Sequence, residues 1–196
     1  MSDTKQFTLS EDEIIERLRT DDPEIVDTIH TMCLDVLYKE EDRTKSLDAK
    51  GSTLLGMSGL SSSLVFSLGG LLIEKIKAVT LPVIGDPVQG IGCFYISSSV
   101  TLLLSILFAL LSVRARADFR QMKDEDIFRT DMIEAGNGPY KRYMATHAWK
   151  VYQNNFMINE KKGNHLRTGH VLFFAGLLQL LPIIIIIGLY AFMKGG

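Results

Sequence analysis

Charge is missing from three long stretches of this chain, 51–73, 88–113 and 168–193. The first two hold no charged residue, and the third holds only His170 near its start. A helix needs about 20 apolar residues to cross a hydrocarbon core of ~30 Å, and each stretch is longer than that. The run Leu181–Ile187 is too apolar for the core helix of an ordinary soluble protein. The expectation is a small polytopic membrane protein.

Other absences narrow the reading. There is no G-x-x-x-x-G-K-[ST], no G-x-S-x-G and no H-E-x-x-H, so nothing points to a phosphate-cradling loop, a nucleophile elbow or a zinc hydrolase. No enzymatic activity is expected. Cysteine is scarce: Cys33 falls in an expected cytoplasmic helix and Cys93 in an expected span, positions that favour reduced, buried thiols over a bridge. His30 with Cys33 offers only two ligands, and His165 and His170, five apart, do not share a helix face. No metal is expected. His147, near Trp149, reads as a packed residue. No alternating apolar pattern argues for strands. The charged first 50 residues contain no short apolar signal core, so the first span would act as the insertion signal. The spans lack the carboxylate or arginine that would mark an ion path in a transporter.

The charges that are present set an orientation. Seven of the 21 lysines and arginines lie in 1–50, eleven in 114–167, two in 74–87 and one after 193. Positive residues stay on the cytoplasmic side. The N-terminus and 114–167 would then be cytoplasmic, and the link 74–87 and the short tail external. The organisation read from this is 1–50, N-terminal cytoplasmic helices; 51–113, a transmembrane hairpin; 114–167, a cytoplasmic helical segment; 168–196, a third span and tail. The fold class is an all-α membrane protein, three transmembrane helices with helical cytoplasmic extensions.

Local signals place the extensions. Ser10 with Glu13 forms a capping box ahead of a helix over 11–20. Asp22-Pro23 starts the next, Asp22 as N-cap and Pro23 at the first helical position. That helix would run on into the first span. The second span would continue through 114–128. Gly136-Asn137-Gly138-Pro139 marks a turn. After it Tyr140, Tyr143, His147, Val151, Asn154 and Ile158 share one face of a helix leading to the third span. Gln179 and Pro182 interrupt that span, and Pro182 predicts a kink.

Small residues recur every seven positions: Gly56, Ser63 and Gly70, with Gly59 nearly in line; Ser98, Ser105 and Ser112; Gly169 and Gly176. Such stripes let helix backbones approach closely. They would pack the spans of one subunit or join subunits in a homo-oligomer. Basic residues gather at the inner ends of all three spans: Arg43, Lys45 and Lys50; Arg114, Arg116 and Arg120; Lys161, Lys162 and Arg167. They fit topology and contact with anionic lipid. They also fit, as the second reading, a pocket for a phosphate-bearing small molecule, with Tyr140, Tyr143, Trp149 and Tyr152 as stacking surfaces for a base, although packing explains these aromatics equally well.

The segment from Glu41 through Arg43, Asp48, Lys50 and Leu54-Leu55 to Gly56 resembles the entry to the first span of the Pycsar transmembrane effectors, a run of the form E-x-x-R…D-x-K-x-x-x-L-L. The stretch with Asn155, Asn159-Glu160-Lys161-Lys162 and Leu166-Arg167, leading into Phe173–Leu177, is similar to that family's approach to its last span. The resemblance covers about 35–193. It departs at Gly51, where an alanine is expected, and at Gly163, placing flexibility at both membrane boundaries. It implies a bacterial anti-phage effector in the inner membrane, activated by cyclic CMP or cyclic UMP from a partner cyclase and impairing membrane integrity to cause abortive infection. The partners implied are the bilayer, the cyclic nucleotide and further copies of the chain, with no nucleic acid polymer and no cofactor. The other readings are a membrane scaffold that recruits a cytoplasmic partner and a small channel subunit.

Overall fold

The computed structural model describes residues 9–20, 22–76, 87–114, 119–185 and 188, and among them the regular structure is all helical. Arg116, most of the link 74–87, the side of Gly70 and the end of the third expected span beyond 188 lie outside the described residues. The helices are α1 (Glu11–Arg17), α2 (Pro23–Ile76), α3 (Pro87–Arg114), α4 (Asp124–Ile127), α5 (Thr130–Glu134) and α6 (Asn137–Leu178).

The start signals act as their chemistry requires. Ser10 Oγ accepts from Glu13 N (3.2 Å) while Glu13 Oε2 accepts from Ser10 N (2.7 Å), satisfying two donors at the head of α1. The same bonds hold the Glu13 carboxyl below its usual range. Asp22 Oδ1 accepts from Glu24 N (2.9 Å), and Pro23 opens α2. Gly136, at φ 96°, closes α5 in the left-handed region that glycine tolerates; Asn137 and Pro139 then belong to the first turn of α6. α6 stops at Leu178, four residues before Pro182, whose ring would clash with that carbonyl; helix resumes over 181–185.

Three expectations need correction. The helix of α3 does not run unbroken to 128, because 119–123 is not helical. Asn155 holds that segment in place: its Oδ1 accepts from Arg120 N (3.0 Å) and its Nδ2 donates to Arg120 O (2.9 Å), giving the Arg120 backbone the partners a helix would have supplied. Gly51 and Gly163 both sit inside unbroken helix, so neither acts as a flexible break. Gly51 is instead a close contact, where an added Cβ would come within 3.3 Å of Val113 Cγ2. Finally, among the described residues two helices, not three, are long and apolar enough to cross a membrane: Ile91–Arg114, and the one running Asn137–Ile185. The stretch 51–73 is helical, but six serines (Ser52, Ser58, Ser61, Ser62, Ser63, Ser67) and its glycines dilute its apolarity.

The chain divides into two compact units. The first combines residues 1–46 and 115–161 around Ile14, Leu18, Cys33, Leu37, Ala145, Ala148 and Val151. The second combines 47–114 and 162–196 around Leu54, Val65, Leu102, Ala109, Leu166 and Phe173. α2 and α6 contribute residues to both.

Candidate functional site

Within the second unit, three helices are drawn together by small residues. Ser98, Ser105 and Ser112 of α3 are fully buried. Their hydroxyls donate to Gly176 O (2.8 Å), Gly169 O (2.9 Å) and Lys162 O (3.4 Å) of α6, carbonyls with the same seven-residue spacing. Ser58 of α2 joins Ser105 at 2.9 Å. A Cβ at Gly169 would lie 2.8 Å from Leu54 Cδ2, and one at Gly176 2.9 Å from Leu102 Cγ, so a larger residue at either position would force a neighbouring leucine to shift. Thus the stripes of α3 and α6 pack helices of one subunit. The stripe of α2 does not: Gly56 and Gly59 meet nothing within 4 Å, and exposed Ser63 bonds back to Gly59 O (3.0 Å). Ser62 Oγ and Ser99 Oγ are buried without a partner among the described residues.

A second close three-helix approach carries a cationic rim. The Cβ position of Gly51 lies 3.3 Å from Val113 Cγ2, 3.6 Å from Leu166 Cδ2 and 3.7 Å from Ser112 Oγ. The next residue along each helix is Lys50, Arg114 or Arg167. All three are exposed, and among the described residues none is held by a hydrogen bond or ion pair. Beside them Lys162, fully buried, is paired to Asp48 at 2.7 Å. The arrangement offers three unengaged cations on converging helices to a group with several anionic oxygens. Arginine's planar fork suits phosphate, and lysine adds a point charge.

The remaining basic residues are placed differently. Arg43 lies in the first unit, bonded to Glu160 (2.5 Å) and Glu40 (3.4 Å) and lying over the Phe156 ring (5.4 Å). The Glu160 bond raises its pKa further. Lys45 pairs with Asp42 (2.9 Å), and Lys161 is exposed. Arg43 and Lys162 are therefore committed to carboxylates of the chain itself rather than available to a ligand.

The aromatic residues expected as stacking surfaces are engaged with neighbours. Tyr143 is covered by Arg129 (5.2 Å) and stacked on His147 (6.0 Å), which faces Asp126 at 3.2 Å. Trp149 packs on Tyr152 (5.0 Å), and Tyr140 donates to Ile127 O (3.0 Å). Burial pushes the His30 imidazole down and the Cys33 thiol up from their usual ranges.

Sequence reasoning missed one cluster. Asn159, fully buried, donates from Nδ2 to Glu40 Oε1 (2.7 Å) and shares the site with Thr44 Oγ1 (2.8 Å). Its position four residues after Asn155 was the available signal, since two amides one turn apart on an otherwise packed face mark a polar contact. No family model, curated protein or solved structure matches the chain.

Proposed function

We propose that this protein is a membrane-embedded effector of bacterial anti-phage defence. A cyclic pyrimidine nucleotide, cyclic CMP or cyclic UMP from a partner cyclase, binds at the cationic rim, and the response impairs membrane integrity and ends in abortive infection. The reading keeps the serine-rich 51–73 as a span beside the two apolar helices, because its Ser58 turns onto Ser105 of α3 (2.9 Å), with the N-terminus cytoplasmic in the inner membrane, and assigns the chain no catalytic step. What carries it is the convergence of unengaged Lys50, Arg114 and Arg167 around the Gly51 contact. The resemblance to the Pycsar effectors supplies the messenger. A ligand shifts such an assembly only if it binds one helix arrangement better than the other. The unpartnered Gly56–Ser63 face of α2 is where further copies would assemble.

The test is membrane potential in cells producing the protein, with and without a pyrimidine cyclase. Depolarisation is expected only with the cyclase, and Arg114→Ala with Arg167→Ala should abolish it while leaving protein levels in the membrane fraction unchanged. Depolarisation without cyclase would favour a channel subunit. No depolarisation in either arm would sink the nucleotide reading and favour a scaffold.

A further inference from the structure

The first unit contains a cavity that the nucleotide reading does not use. It has a volume of about 430 Å³ and is lined by Ile14 of α1 and Leu18 just beyond it, Ile29, Met32 and Val36 of α2, and Trp149 of α6. That size falls within the ~300–1,000 Å³ typical of small-molecule sites. Its lining is almost wholly apolar, and Cys33, whose thiol burial holds protonated, adds a small apolar surface.

The polar atoms around the cavity are already satisfied. The Gln153 amide oxygen, oriented to suit its neighbours, accepts from Leu9 N (3.1 Å) and from Trp149 Nε1 (3.0 Å). The indole therefore offers the cavity only its ring. Glu13, the acid one turn before Arg17, has its carboxylate turned back onto Ser10 N (2.7 Å). Arg17 is the one charged residue of the lining, and it is exposed. Among the described residues it makes no hydrogen bond or ion pair, only a longer-range attraction to Glu13.

An apolar slot with one unengaged cation at its edge selects for an apolar tail ending in one anionic head. Met32 is exposed on the lip, and its flexible thioether adapts to an unbranched chain. The geometry points to a binding site for a free fatty acid: the acyl chain lies against Leu18, Ile29, Met32 and Val36, and the carboxylate meets the Arg17 guanidinium. This inference is independent of the nucleotide reading, because it concerns different residues in the other unit.

Trp149 is the only tryptophan in the chain, so its fluorescence reports this cavity alone. The full-length protein in phosphatidylcholine nanodiscs would be titrated with an ω-brominated undecanoate, whose bromine quenches only on contact. Saturable quenching is expected, weakened about fivefold by Arg17→Gln, as loss of one exposed ion pair implies. Met32→Glu, a surface change that sets a like charge beside the head group, should weaken it further. The matched neutral bromo-alcohol should bind more weakly and be indifferent to Arg17→Gln. Absence of saturable quenching, equal affinity of the acid for wild type and Arg17→Gln, or quenching only by a brominated phospholipid of the bilayer would each overturn the proposal.

Discussion

At the scale of single residues the most consequential side chain is Lys162. A lysine is seldom fully buried unless paired, and its place among the basic residues at the inner end of a span suggested a ligand contact instead. Its partner Asp48 is 114 positions away, so nothing local announces the pair. A buried ion pair gains little over an apolar pair of the same shape, yet removing one member leaves the other without its counter-charge. Lys162→Ala should therefore cost about 3 kcal/mol of stability, read by chemical denaturation followed by circular dichroism. The double variant Lys162→Met, Asp48→Leu should recover most of that loss. A single-variant loss near zero would show the pair to be incidental. The three cations of the rim differ from Lys162 in having no carboxylate to satisfy, and sequence alone ranked all of them together with it.

Among elements, the clearest lesson comes from α6. Its expected face ran through Tyr140, Tyr143, His147, Val151, Asn154 and Ile158. Val151 and Ile158 are buried as that face requires, but the rest of the buried face runs through Ala145, Ala148, Asn155 and Asn159. Alanine and asparagine carry little apolar signal, while tyrosines look like core and here cover the rim of it. The helix starts at Ser10 and Asp22, the turn at Gly136 and the stop before Pro182 were legible because each rests on chemistry within a few residues. The non-helical 119–123 was not, because its Arg120 backbone is held by an amide from another helix. Asn155→Leu removes both bonds to Arg120, a loss of about 2 kcal/mol at ~1 kcal/mol for each bond. Amide hydrogen exchange over 119–123 should accelerate sharply while α1 stays protected. Unchanged exchange at Arg120 would mean that packing of Met122, not the Asn155 amide, holds the segment.

For the molecule as a whole, the all-helical class was legible from composition, and so was the segregation of polar from apolar residues. The count of spans was less so: freedom from charge is not the same as apolarity, and the serines of α2 separate the two properties. Two helices of sufficient length and apolarity lead to a direct expectation. The protein should sediment with membranes and resist extraction by alkaline carbonate, releasing only in detergent. Recovery in the carbonate supernatant would remove the membrane setting on which the proposed function rests.

The seam between α3 and α6 works as a vernier. Three hydroxyls at 98, 105 and 112 face three carbonyls at 176, 169 and 162, running in opposite directions at equal intervals. A slip of α6 by one, two or three residues breaks all three bonds at once. A slip of seven, about 10.5 Å at 1.5 Å per residue, re-forms two of them. Small sliding adjustments are thus penalised as heavily as large ones, and the pair keeps discrete registers instead of drifting. Whatever motion this protein makes, these two helices will move as one body or change places by a whole heptad.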